Sequence, residues 1–125
     1  MGLTHNGHML IMIWELSMRS APASILAVTS EGPTLADQVD PRFGRAGGFV
    51  VMELETGAFR YVDNGSSQVL PQGAGIQATE NLVKAGAQVL LTGQVGPKAW
   101  AALEAAGLKV VQGVENMAVA DAIHR

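Results

Sequence analysis

From Ile25 onward, short apolar runs alternate with helix-length stretches that end in glycine, and this alternation restricts the fold more than any other feature. The run Ile25-Leu-Ala-Val28 has the unbroken apolar character of a buried strand, and residues 29–48 after it are a polar loop. Residues 49–54 and 59–62 are strand-like, and Glu55-Thr-Gly-Ala58 between them supplies a turn, so the two are expected to pair as a hairpin. Residues 64–75 form a second polar, glycine-containing loop. A helix is predicted over residues 76–85, with Ile76, Thr79, Leu82 and Val83 on one face and Gly86 as its stop. Val89-Leu-Leu91 is another buried strand, Pro97 opens a helix that runs to Ala106 before Gly107, Lys109-Val-Val111 is a last strand, and residues 117–123 are a final helix. A hairpin followed by strand–helix–strand units predicts an α/β domain, its mixed sheet part parallel and covered by helices.

Composition narrows the function. With 125 residues, 48% apolar and 15% charged, the chain is long enough for one well-packed domain. A net charge of −3 and the lack of a Lys/Arg cluster speak against nucleic acid and against a membrane surface as partners. There is no cysteine, which excludes disulfides, thiolate-bound zinc or iron–sulfur centres and a thiol nucleophile. Residues 1–24 read as an N-terminal extension, either a tail or an extra strand. The apolar run Met9-Leu-Ile-Met-Ile-Trp14 is too short to span a bilayer. Ala21-Pro-Ala23 has the small-x-small pattern of a signal cleavage site, but no Lys or Arg precedes the run and Glu15 interrupts it, so a cytoplasmic protein is expected.

Three segments carry the chemistry. In Asp40-Pro-Arg-Phe-Gly-Arg-Ala46, a tight turn at Gly44 would aim Arg42 and Arg45 into one cleft, where planar guanidiniums suit an anion. The alternative is a surface loop with Arg42 or Arg45 paired to Asp37 or Asp40. Gln72-Gly-Ala-Gly-Ile-Gln77 opens a helix, whose N-terminal N–H groups favour negative charge. Thr92-Gly-Gln-Val-Gly-Pro-Lys98 joins the end of a strand to a helix, the usual ligand position in open α/β sheets. For both, ordinary turn chemistry is the alternative. The candidate binding residues are Arg42, Phe43, Gly44, Arg45, Gln72, Gly73, Ala74, Gly75, Ile76, Gly93, Gln94, Val95, Gly96 and Lys98. Residues 64–75 offer few apolar anchors, so ordering of that loop is expected to depend on ligand. His5 and His8 lie in the extension and make a poor metal site, Met52 and Met117 read as core fillers, and Trp100 as helix-packing surface.

Together, Asp40-Pro-Arg-Phe-Gly-Arg-Ala46, Gly73-Ala-Gly-Ile-Gln-Ala-Thr79 and Gly93-Gln-Val-Gly-Pro-Lys-Ala99 resemble the dinitrogenase iron–molybdenum cofactor biosynthesis family, also called nitrogenase accessory factors. The spacing Leu103-x-x-x-Gly107-Leu-Lys-Val110 also fits, and the likeness runs from Ser24 to Arg125. The resemblance implies a ribonuclease H-like fold, with a mixed five-stranded sheet and flanking helices over residues 25–125. It implies a non-enzymatic carrier or store of a metal–sulfur cluster, with a protein partner as the recipient of the cluster. Lacking cysteine and carrying an upstream extension, the chain looks most like the branch that holds a mixed molybdenum–copper sulfide cluster non-covalently. Where some members have His or Cys able to ligate metal, this chain has Arg42 and Gln72. A sulfide-capped cluster needs no such ligand, only charge neutralisation, hydrogen bonds and exclusion of water.

Three other functions fit parts of the same pattern. A nuclease of this fold would need clustered carboxylates, and Glu53, Glu80 and Asp121 are scattered over separate elements. A module binding a protein, a phosphate or another small anion would use the same Arg and Gly loops, and so would a carrier of thiomolybdate without copper.

Overall fold

A computed structural model describes residues 25–124, so the expectations for residues 1–24, including those for His5 and His8, lie outside the described residues. Five strands form one sheet: β1 (Ile25–Ser30), β2 (Gly48–Glu53), β3 (Phe59–Asp63), β4 (Val89–Leu91) and β5 (Lys109–Val111). Their order is β3-β2-β1-β4-β5. β2 runs antiparallel to β1 and β3, while β1, β4 and β5 are mutually parallel. The α/β, mixed five-stranded sheet with flanking helices is therefore present, in an order compatible with a ribonuclease H-like arrangement.

Four helices are described: α1 (Gly65–Gln68), α2 (Ala74–Lys84), α3 (Pro97–Ala105) and α4 (Val119–Ile123). α2 and α3 cover one face of the sheet, where Ala27, Phe49, Val51 and Leu90 meet Ala78, Leu82, Ala99 and Leu103. α4 packs on the other face, with Val119 and Ala122 against Leu26, Val28, Val50 and Leu91. Burial from both sides explains why β1 is a continuous apolar run rather than an alternating one. Among the described residues no helix is long and apolar enough to cross a membrane.

The glycine stops act as expected. Gly86 (φ +82°) and Gly107 (φ +79°) take left-handed conformations after α2 and α3. Gly86 N–H donates to Val83 O and Ala87 N–H to Leu82 O, and Gly107 and Leu108 repeat the pattern on Glu104 and Leu103, so each helix ends in a Schellman motif. Pro97 sits in the first turn of α3.

Two expectations need correction. The buried face of α2 is formed by Ala74, Ala78, Thr79 and Leu82, whereas Ile76 and Val83 are 50% and 52% exposed. Thr79 and Leu82 of the predicted face are therefore buried, but Ile76 and Val83 are replaced on it by Ala74 and Ala78, which let the helix approach the sheet closely. Residues 64–75 are also not a plain loop: they begin with buried Asn64 and the short helix α1, whose Ser67 is buried.

Candidate functional site

The site is built where β1 and β4 end, and it begins with a clamp on the first segment. Asp40, only 3% exposed, lies at its base: its N–H donates to Thr29 O, and its carbonyl accepts from the Thr29 hydroxyl. The Thr29 and Thr92 hydroxyls, both buried, are hydrogen-bonded at 2.9 Å and tie β1 to the residue after β4. The Asp40 carboxylate accepts from the N–H groups of Arg42 (3.0 Å) and Gly47 (3.4 Å) and from Arg42 Nε (3.3 Å). Gln94 N–H donates to Pro41 O, and a short parallel bridge links Arg42 with Gln94. Gly93 is required here because any Cβ would run into the Pro41 backbone, 2.6 Å from its Cα.

A second set of bonds fixes the other side. Asn64 Nδ2 donates to Ala46 O (3.0 Å) and Gly44 O (3.4 Å), while its Oδ1 accepts from Asn81 Nδ2 of α2 (2.7 Å). The Ser67 hydroxyl is hydrogen-bonded to the Gly44 and Ala74 carbonyls, joining the first segment to the start of α2. Close packing completes the joint. A Cβ on Gly44 would lie 2.9 Å from Gly75 N, and one on Gly75 would lie 2.5 Å from the Ala99 Cβ.

These contacts bring one stretch of each segment around a single cavity of about 480 Å³. It is lined by Gly44 from the first, by Gly73, Ala74, Gly75 and Ile76 from the second, and by Gly96, Pro97, Lys98 and Ala99 from the third. Two helix N-termini open onto it. Both are capped by glycine, Gly73 for α2 and Gly96 for α3, and neither has a side-chain cap. The first bonds within the helices are Gln77 N–H to Gly73 O and Trp100 N–H to Gly96 O. Helix geometry leaves the N–H groups of residues 74–76, 98 and 99 without intrahelical acceptors. The cavity wall thus offers backbone donors, two positive helix ends, the Lys98 ammonium and apolar surface.

Both arginines point elsewhere. Arg42 forms an ion pair with the buried Asp40, its own side chain 60% exposed, which is the alternative left open by the sequence. Arg45 Nη1 donates to Gln68 O (2.9 Å) and Nη2 reaches Pro71 O (3.5 Å), so Arg45 satisfies carbonyls at the end of α1 and just beyond it. Phe43 is buried in the sheet core against Phe49, with ring centroids 6.2 Å apart. Val95 packs against the same core, and its N–H donates to Gln112 Oε1. Gln72 and Gln94 are exposed and do not line the cavity.

The field on the opposite side of the first segment is acidic. Burial is the main cause of a raised Tyr61 phenol pKa, and the carboxylates of Asp63, Asp37 and Asp40 push it the same way. An anion is therefore better placed at the helix N-termini than on that side. Among the described residues, no group of three or more His, Asp or Glu side chains is placed to hold a bare metal ion. The buried polar brace of Asn64, Ser67, Thr29 and Thr92 was missed from sequence, because isolated Asn, Ser and Thr residues beside glycines look like surface turns.

Comparison with known proteins places this architecture. The family model described as dinitrogenase iron–molybdenum cofactor matches residues 24–125. The apo form of the orange protein from Desulfovibrio gigas is 59% identical, with a TM-score of 0.81 over 82% of this chain and 85% of that one. A putative NifB protein from Thermotoga is 33% identical, with a TM-score of 0.70 over 81% of this chain and 84% of that one. No curated protein matches. The family match takes in all three segments that meet at the cavity, and the chain belongs to the dinitrogenase iron–molybdenum cofactor family.

Proposed function

We propose that this chain is a non-enzymatic carrier of a preformed anionic metal–sulfide cluster, of the molybdenum–copper kind, held without protein-to-metal bonds. The observation that supports this most is the pair of helix N-termini without side-chain caps opening onto one cavity beside Lys98. The donor set suits such cargo. The lining residues provide N–H groups, one ammonium and apolar walls, but no thiolate, imidazole or carboxylate to coordinate a naked ion. A cluster that already carries its sulfide ligands needs its surface charge met and water kept away, and N–H donors provide the first in a fixed geometry. In this reading Lys98 and the N–H groups of residues 74–76, 98 and 99 hold the anion, while Ile76, Pro97 and Ala99 exclude water. The cargo would then be passed intact to a protein recipient. The likeness to an orange protein described in its apo form agrees with a chain that exists with and without a bound group.

The experiment is a titration of the full chain with tetrathiomolybdate and Cu(I), followed by visible absorption. We expect new bands that stay with the protein through gel filtration and are lost progressively as salt is raised. A spectrum equal to that of the free mixture would overturn the reading. Inorganic phosphate as competitor separates a general anion site from a cluster site: displacement of the bands by millimolar phosphate would favour the former.

A further inference from the structure

We propose that the groove between α2 and α3 is the docking site for this chain's own apolar segment Met9-Leu-Ile-Met-Ile-Trp14. Ile76 and Val83, seven residues apart on α2, are half exposed along one stripe, and Ala102, Ala105 and Ala106 form the facing wall. The groove between them measures about 620 Å³. Helix α2 thus carries two apolar stripes: the one of Ala74, Ala78 and Leu82 is used by the sheet, and Ile76 and Val83 stay half exposed. Scattered exposed apolar residues need no explanation, but a contiguous groove of them marks a contact surface.

The path of the chain favours residues 9–14 as the cover. Ile25, where the described chain starts, accepts from Gln88 N–H and packs beside Gly86, just past the end of α2. Val83 is the second-to-last residue of α2, so the groove reaches that end. Residues 15–24 separate Trp14 from Ile25 and, extended, reach roughly 33–36 Å, against about 16 Å for the length of α2. The cavity nearest Ile25 suits the segment less well, since it measures about 210 Å³ and is lined in part by Glu53 and Arg60. Ile76 lines both this groove and the cavity described above, so a segment docked here borders the candidate binding site on one side. The inference does not depend on what that cavity holds.

The chain has no cysteine, which allows a direct test. The full-length double variant Met12→Cys, Ala105→Cys is compared under mild oxidation with Met12→Cys, Val111→Cys, whose second site is exposed and lines a cavity on the α4 side. Docking predicts an intramolecular disulfide in the first pair, forming roughly tenfold or more faster than in the second. Equal rates in the two pairs would overturn the proposal. A disulfide-linked dimer from the first pair would also overturn it and assign the groove to a second copy. As an independent measurement, Trp14 emission is followed in a Trp100→Phe background. A blue-shifted emission that moves to the red on adding Val83→Glu supports docking, and emission typical of water-exposed indole before that change would refute it.

Discussion

Around the cavity, Gly73, Ala74, Gly75, Gly96 and Pro97 present backbone and minimal side chains, whereas directly behind them Asp40, Asn64 and Ser67 fill buried positions with side-chain hydrogen bonds. The wall is chemically plain, and the brace is specific. This division suits recognition by N–H groups, because a backbone donor can only be aimed by fixing the backbone that carries it. The polar side chains therefore act on position, and the cavity wall is left mainly to backbone groups. Lys98 is the exception, a charged side chain in the wall itself.

Substitutions on the two sides should separate these roles. The largest effect is expected for Gly93→Ala, whose methyl group meets the Pro41 backbone rather than a side chain that can swing away. We expect a loss of about 3 kcal/mol, the upper end of ordinary overpacking, measured by urea unfolding. A loss well below 1 kcal/mol would show that the first and third segments slide past one another, and the picture of a rigid brace would fail. Asn64→Ala comes next. It removes the donor to Ala46 O and leaves Asn81 Nδ2 without its 2.7 Å acceptor, for about 2 kcal/mol. Cargo affinity should fall with it although Asn64 does not line the cavity; unchanged affinity in the folded variant would uncouple brace from wall.

Arg45→Ala should cost about 1 kcal/mol, since its carbonyl partners at Gln68 and Pro71 regain water. Its main signature is faster amide exchange over residues 69–73, with the cavity wall unaffected. Equal exchange in both proteins would mean that Arg45 does not hold this stretch. Arg42→Ala takes the guanidinium from the buried Asp40 carboxylate and should cost about 1 kcal/mol, and the smallest stability effect is expected for the exposed Lys98→Ala, within about 0.5 kcal/mol of the parent. These two sharpen the comparison through binding. Lys98→Ala should weaken anion binding most at low salt, and Arg42→Ala should leave it nearly unchanged. The reverse result would return the first segment to the ligand surface.

How much could be read from the sequence follows the same division. Apart from α1, element order and helix ends were legible because they depend on local chemistry: Gly86 and Gly107 stop helices by taking positive φ, and Pro97 opens one. The three site segments were legible as glycine-rich joints between elements. The direction of side chains was not. Arg42 and Arg45 look equivalent on either side of Phe43-Gly44, but one pairs with Asp40 and the other with carbonyls from a segment more than twenty residues away. Phe43 looked like part of the ligand surface, yet the turn that exposes its neighbours sends its ring into the core. The face of α2 was legible only in part: Thr79 and Leu82 are buried as read, but hydrophobic periodicity weights Ile and Val over Ala, whereas closeness of approach selected Ala74 and Ala78. The brace at Asn64 and Ser67 depends on partners far away in the chain, and local pattern carries no record of them.

The hydroxyl bond between Thr29 and Thr92 joins residues 63 apart in the chain, and β1 pairs in parallel with β4 on the same side of that gap. Closing so long a loop costs entropy before any contact compensates, and parallel, non-local pairing forms slowly. The local hairpin of β2 and β3 can zip early, but the third segment reaches Pro41 only after β4 docks on β1. A chain still emerging from the ribosome, its β4 not yet made, has neither the cavity nor its second helix end. If the cavity holds the proposed cluster, loading is confined to finished molecules, and bound cluster doubles as a readout of completed folding.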